Sequence, residues 1–370
     1  MKIALYSPYI PNHTGGGEKH LFSIALALHT KTGMPITVAL RDTPAHRDAT
    51  FQARIKKTYE MFLDQSLDCI TWETTPLGTS ANPLTKYLWT RRYSHLFYTT
   101  DGSIFFSGAK NSILHIQVPL TTVSHSLTQR LKYTTWSHIN TNSLFTKQVV
   151  EREWGVRVDS VLHPVVSLKE FAPLAHQKKT NTIVSVGRFF TQLHAKRQDI
   201  LIEMFINLCQ KQPSIKKKWS LQLIGPVEDA SYVAQLRRKA VGYPISFHHD
   251  VDRLELVKRL SRARLFWHAA GYGIKQSKHP EQVEHFGIST VEAMAAGAVP
   301  LVHAKGGQIE VLGPELKDLL WHTKEECSNK TLELIANPDL YTSFQASVRQ
   351  RAWQFDQSLF EKRVAAVFGV

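Results

Sequence analysis

Two glutamates eight positions apart, Glu284 and Glu292, bracket the residues with the most chemistry to offer in this 370-residue chain. They lie in Glu284-His285-Phe286-Gly287-Ile288-Ser289-Thr290-Val291-Glu292-Ala293-Met294-Ala295-Ala296-Gly297, which reads as loop, helix and stop ahead of a buried strand, Val299 to His303. Glu284 then falls in the loop and Glu292 inside the helix, so the two carboxylates can hold opposite ends of one ligand. A carboxylate accepts paired hydrogen bonds from vicinal hydroxyls, which suits a sugar at one end and a ribose at the other. Between them, Gly287 permits close backbone approach. The free N–H groups at Ile288 and Ser289, with Phe286 alongside, form a place for phosphate at a helix start. A bare pair of glutamates at this spacing is usually a solvated helix terminus; here the surrounding loop, helix and strand supply the context.

Cations that could face such an anion occur upstream. Arg188 follows a strand in SVGRFF and Lys196 precedes a helix in AKRQDILIEMF, positions from which both can neutralise a departing diphosphate. Arg197 adjoins Lys196, so either of the two can complete the pair. In the first half, His115 ends a strand in LHIQVP and is read as presenting its imidazole to a cleft, with Asp101 as a weaker polar candidate. Gly15, Gly16 and Gly17 open the first helix without side chains, a loop for phosphate or acceptor that is not a G-x-G-x-x-G fingerprint.

These residues need a scaffold, and the chain has material for two cores: 43% hydrophobic, 21% charged, with Gly and Pro spread without a period. Collagen-like, low-complexity and wholly disordered classes are excluded. Forty-five Lys and Arg against 31 Asp and Glu leave a charge of +14, which favours an anionic partner without naming it. Cys69, Cys209 and Cys327 are too few and too scattered for a disulfide framework or a zinc quartet, and predict a reducing, cytoplasmic setting. The opening MKIALYSPYIPNH reads as a first buried strand rather than a leader, and no run of about 18 apolar residues predicts a membrane span.

Strand-like runs at Lys2–Tyr6, Ile36–Leu40, Leu67–Trp72, His95–Thr99, Ile113–Ile116, Thr135–Asn140 and Ser160–Leu162 alternate with segments of helical length. One of those is Glu18 to His29, with Leu21, Ile24, Ala25 and Leu28 on one face. A second series follows at Thr182–Val186, Ser220–Ile224, Ile245–His248, Arg264–His268, Val299–His303 and Leu319–Trp321. Alternation of this kind predicts two parallel sheets of similar size. His163 to Lys179, with Pro164 and Pro173, is read as the linker. The last helical run, Leu340 to Val367, is interrupted.

The block EHFGISTVEAMAAGAVPLVHAKGG closely resembles the donor-site signature of retaining GT-B glycosyltransferases, specifically glycosyltransferase family 4. SVGRFF with AKRQDILIEMF, LIGP and GGGEKH resemble further segments of that family in the same order over nearly the whole chain. The resemblance implies an α/β GT-B fold of two Rossmann-like domains facing a cleft. It implies an acceptor-side domain over 1–165 and a donor-nucleotide domain over 166–351, with a C-terminal helix at about 352–370 crossing back. By the same resemblance Arg188 and Lys196 clamp the diphosphate, Glu284 orients the sugar, Glu292 holds the ribose, and His115 contacts sugar or phosphate. The implied reaction is hexosyl transfer from a nucleotide diphosphate sugar to a hydroxyl acceptor, with retention and without a metal or other cofactor. The signature is similar to that of lipid-linked oligosaccharide mannosyltransferases, which favours GDP-mannose over UDP-glucose and a saccharide or lipid-linked acceptor.

His248-His249-Asp250 and the histidines from His279 to His285 lack the spacing of a metal site. Trp89, Arg91, Arg92 and Tyr93, with Arg54, Lys56 and Lys57, suit peripheral contact with an anionic membrane at its inner face. The competing enzymatic reading is a nucleotide-sugar epimerase or hydrolase on the same fold. A basic nucleic-acid-binding protein also competes, but no recognition motif accompanies the charge and no nucleic acid is expected.

Overall fold

Ile3–Tyr6 is buried at all four positions, and similar runs recur because a parallel sheet is covered by helices on both faces. The structure, a computed structural model, describes residues 1–11, 15–192 and 195–370. Its strands are β1 (Ile3–Tyr6), β2 (Ile36–Arg41), β3 (Ile70–Thr75), β4 (His95–Thr99), β5 (Asn111–Ile116), β6 (His138–Thr141), β7 (Ser160–Val161), β8 (Thr180–Val186), β9 (Ser220–Ile224), β10 (Ile245–His248), β11 (Ala263–His268), β12 (Val299–His303) and β13 (Leu320–Trp321). They form one sheet in the order β3-β2-β1-β4-β5-β6-β7 and a second in the order β10-β9-β8-β11-β12-β13, each parallel throughout.

The chain divides into one unit of Met1–Val165 with Gln357–Val370, and another of Val166–Asp356. In the first, the helices Gly16–Thr32 and Ala49–Leu63 lie on one face of the sheet. Leu21, Ile24, Ile55 and Tyr59 are buried there, and the helix Gln357–Phe368 adds Phe360, Val364 and Phe368 to the same core. The helices Pro83–Thr90, Leu127–Tyr133 and Leu144–Trp154 follow strands that step the other way along the sheet and lie on the opposite face. Trp89, Trp136, Val150 and Trp154 pack in that second core. The second unit has a core of its own, with Trp267, Phe266, Phe205 and Trp321 fully buried.

Three sequence expectations are corrected, and a fourth, the interruption of the final helical run, is kept. The strand expected at Leu67–Trp72 begins at Ile70, because Ile70 N–H closes a turn on Leu67 O at 2.9 Å. The strand expected at Thr135–Asn140 begins at His138, because Thr135 ends the preceding helix, donating from N–H and Oγ1 to Lys132 O. The segment read as a linker is packed from Val166 onward: Val166 and Phe171 are buried, Val166 N–H donates to Phe355 O, and Leu168 N–H donates to Asp356 Oδ1. The final run is two helices, Pro338–Ala352 and Gln357–Phe368, parted by a turn at Trp353–Phe355 and extended backbone at Asp356.

The sheets reverse strand order between β1 and β4 and between β8 and β11. Such switch points open a crevice beyond the carboxyl ends of the strands, where ligands of this architecture bind.

Candidate functional site

At the second switch point, β8 runs into Gly187 and Arg188, β11 ends on His268, and β12 ends on His303. Glu284 reaches this edge from the loop before the helix Ile288–Ala295. Its Oε2 meets Lys196 Nζ and accepts the Nε2–H of His268 at 2.9 Å. Both partners of the Lys196–Glu284 pair are largely shielded, with side chains 14% and 12% exposed. His268 is fully buried, and burial pushes its imidazolium below the usual histidine range despite the opposing Glu284 carboxylate. The ring is therefore neutral, with Nε2 carrying the proton and Nδ1 accepting from Gln308 Nε2 at 3.3 Å. Sequence reasoning missed His268 and Gln308. An isolated strand-end histidine and a helix-start glutamine carry no local signal.

Glycines set the backing of this loop. A Cβ on Gly306 would lie 2.0 Å from Glu284 O, and one on Gly307 2.4 Å from His285 O, so Gly306-Gly307 lies flat against the 284–286 backbone. Gly307 N–H donates to Glu284 O at 2.8 Å. Gly287 caps the helix at φ +115, a conformation open to glycine, and a Cβ there would meet the Gln308 amide at 2.8 Å. Thr290 and Val291 donate to Gly287 O. Ile288 and Ser289 supply the first N–H groups of that helix, which no i−4 carbonyl can satisfy. Phe286 turns inward, buried against Phe355 with ring centroids 5.3 Å apart; its expected place beside the ligand is corrected to a core position under the loop.

Glu292, inside the helix, is buried and pairs with Arg253 Nη1 at 2.7 Å. Arg253 Nε also binds Glu170 Oε2 at 2.5 Å, and the two carboxylates hold the guanidinium firmly protonated against its burial. Glu292 and Glu284 thus each meet a cation, Arg253 for one and Lys196 for the other. Arg253 and Glu170 were not legible because they come from elements 39 and 122 positions away from Glu292.

Arg188 donates Nη1–H to Glu228 Oε1 at 3.0 Å and stacks over Phe190 at 4.4 Å from the ring centroid. The strand-end backbone beneath it is fixed by Gln198, whose amide reaches Gly187 O and Arg188 O. Between the adjacent cations the geometry is decisive: Lys196 faces Glu284, whereas Arg197 grips Asp199 with two hydrogen bonds of 3.0 and 2.9 Å and donates to Tyr272 O. Arg197 holds a left-handed backbone at φ +56, a strained position for a side chain, as it begins the helix Gln198–Lys211.

In the first unit, Gly15 caps the helix Gly16–Thr32, and a Cβ on Gly17 would come within 2.6 Å of Gln117 Oε1. Gln117, beyond the end of β5, leaves a buried Nε2 without a partner among the described residues. Residues 12–14, between β1 and this loop, lie outside the description. His115 is corrected to an interior position: fully buried, it donates Nδ1–H to Asn140 Oδ1 at 2.5 Å and lies between the His20 and Phe97 rings. Burial pushes its pKa down to about 4. Asp101 closes its own turn on Ser103 N and Oγ.

The other histidines are held locally. His248 bonds Ser246, His249 reaches Gly225 O, His279 pairs with Glu281 at 3.4 Å and buried His285 reaches Glu281 O. Among the described residues no group of three or more His, Cys, Asp or Glu is placed to hold a metal ion. Lys56 is occupied by Asp68 and Glu60, Arg92 by Glu73, and Trp89 and Tyr93 are buried against each other. Those two aromatics are thus removed from the surface expected to meet a membrane.

The chain is similar to the GDP-Man:Man(3)GlcNAc(2)-PP-Dol alpha-1,2-mannosyltransferase of Xenopus tropicalis, 31% identical over 165 residues that cover 42% of this chain and 31% of the relative. It is also similar to the Homo sapiens protein of the same description, 30% identical over 196 residues covering 48% and 36%. The chain thus spans about a third of the length of these relatives. Among solved structures, that of Anabaena Alr3699/HepE in complex with UDP and glucose superposes with a TM-score of 0.67 at 16% identity, covering all of both chains. WaaG, a glycosyltransferase involved in lipopolysaccharide biosynthesis, superposes at 0.61 and 14%, again over both whole chains. At these identities the likeness is one of fold, two Rossmann-like parallel-sheet units of the GT-B kind. Residues 166–351, just over half of the chain, match the family described as glycosyl transferases group 1, and the chain belongs to that family.

Proposed function

We propose that the chain transfers a hexosyl group from a nucleotide diphosphate sugar to a hydroxyl acceptor with retention and without a metal ion. The observation that supports this best is the Glu284 carboxylate held on Lys196 and neutral His268 beside the start of the helix Ile288–Ala295. In this reading the donor diphosphate lies at the N–H groups of Ile288 and Ser289 and draws the Lys196 ammonium to itself, with Arg188 as the second cation. Glu284, steadied by His268, then accepts from the sugar hydroxyls, and Glu292, steadied by Arg253, accepts from the ribose diol.

The acceptor oxygen forms its bond to the anomeric carbon as the carbon–phosphate oxygen bond breaks, on the same face. The acceptor proton passes to the departing diphosphate, so no protein base is required. Lys196 and Arg188 stabilise charge that grows as the diphosphate leaves, which is the interaction that lowers a barrier. Gly15, Gly16, Gly17 and Gln117 of the first unit form the acceptor side. The similarity to proteins described as using GDP-Man supports GDP-mannose over UDP-glucose as donor, and a saccharide or lipid-linked acceptor.

Calorimetry with GDP-mannose, UDP-glucose and the free nucleotides tests the reading. A true donor at a hundredfold excess over its Kd stabilises the fold by about 2.7 kcal/mol. Binding of no nucleotide sugar overturns the proposal, and turnover of a bound donor without acceptor indicates a hydrolase instead.

A further inference from the structure

Arg197 keeps a left-handed backbone at φ +56 that a glycine would occupy without strain, so its side chain offsets that cost through what it holds. Two of its hydrogen bonds go to Asp199, local to the helix start. A third, from Nη1–H, reaches Tyr272 O at 2.6 Å, 75 positions away.

The loop that contains Tyr272 leaves β11 directly after His268 and turns at Gly271 and Gly273, with φ +80 and +81. Lys305 holds it a second time, Nζ donating to Gly271 O at 3.3 Å and to Ile274 O. Burial pushes the Lys305 ammonium below the usual lysine range, and the two carbonyls replace water that it has lost. The loop then makes two contacts of its own. Gln276 Oε1 accepts Gly306 N–H at 2.8 Å, and a Cβ on Gly271 would come within 2.9 Å of Val283, the residue before Glu284. Gly306 is the residue whose Cβ would strike Glu284 O, and Gly307 N–H donates to that same oxygen. A line of hydrogen bonds and close packing thus runs from Arg197 through residues 269–276 to the Glu284 backbone.

We infer that residues 269–276 brace Glu284, and that Arg197, Lys305 and Gln276 are positioning residues for the transfer. They act on it through the backbone from which the Glu284 carboxylate reaches the sugar, so the inference rests on the placement of the sugar proposed above. The same framework carries both partners of that carboxylate: Lys196 adjoins Arg197, and His268 immediately precedes the loop.

Hydrogen exchange over residues 284–287, read beside kinetics and calorimetry, tests the brace. Arg197→Gly removes the strain together with the Tyr272 contact, so Tm should change little while exchange quickens and kcat falls about tenfold, less than the loss from a full 1 Å misplacement. Gln276→Leu and Lys305→Met should lower kcat to a similar extent, and Gln276→Glu, which restores an acceptor for Gly306 N–H, should recover it. Affinity for the free nucleoside diphosphate, which lacks the sugar, should stay at the wild-type value in all four variants. Wild-type kcat in Arg197→Gly, Gln276→Leu and Lys305→Met overturns the inference and leaves the transferase reading standing. Equal losses of affinity for nucleoside diphosphate and nucleotide sugar overturn it too, because the loop would then support the whole site. Failure of the wild type to bind any nucleotide sugar overturns the transferase reading and this role with it, and that result is seen before any variant is made.

Discussion

His268 and Lys196 converge on one oxygen of Glu284, the histidine donating at 2.9 Å from a fully buried ring and the lysine meeting it from the loop after β8. A carboxylate restrained on one side by a rigid neutral donor keeps its orientation when the mobile cation is drawn to another anion. His268→Ala should therefore lower kcat by about a hundredfold, the size of effect that misplacement of a reacting group produces. Affinity for the free nucleoside diphosphate should stay near wild type. His268→Asn, which retains an N–H donor, should recover part of the loss. Steady-state kinetics beside calorimetry separates the two, and a parallel loss of nucleotide affinity would show that His268 supports the whole loop.

Arg188→Ala should reduce kcat more than donor affinity, since charge on the departing diphosphate is largest in the transition state. It also frees Glu228, an exposed partner, at small cost to the fold. A raised KM with unaltered kcat would show uniform binding instead.

Glu292→Ala should weaken nucleotide-sugar binding and also strip half-buried Arg253 of one of its two carboxylates. Losing one member of a buried ion pair costs about 3–5 kcal/mol when the other is left unpaired; Glu170 remains, so the expected loss is about 1–3 kcal/mol. Denaturant unfolding measures it. Unchanged nucleotide affinity in a folded variant would remove Glu292 from the donor site.

Gly306→Ala places a Cβ 2.0 Å from Glu284 O at a residue of φ +59. The loop must shift, at a cost of roughly 1–3 kcal/mol, and donor binding should fall with it. Wild-type affinity in this variant would show that the 284–286 backbone is not the donor's support.

Burial lowers His115, His285 and His303 to about 4 each. Unfolded histidines bind protons near pH 6.5, so between that value and about 4 the unfolded chain holds more protons and stability falls as pH falls. Above about 6.5 both states are neutral at these rings and the effect vanishes. Each ring contributes a slope of about 1.4 kcal/mol per pH unit within the window. His115→Phe should flatten the dependence of Tm on pH below 6.5, whatever it does to stability at neutral pH, and an unchanged slope would mean that His115 titrates in the native chain.

Local and periodic features can be read from the residues alone. Apolar runs of strand length between helical segments are enough to announce two parallel sheets, because each strand must be covered on both faces. Gly287 with the helix after it, and the glutamates on either side, were legible because helix starts and carboxylates advertise their chemistry within a few residues. The partners of these side chains were set by the fold. Lys196 rather than Arg197 reaches Glu284 because Asp199, two residues on, captures the arginine in a strained turn. His268, Gln308 and Arg253 meet the glutamates only after the strands are laid side by side, and His115 turns inward because its strand register points it at His20 and Phe97. Contacts of that range depend on strand order and register, which the sheet as a whole sets and no short stretch of sequence encodes.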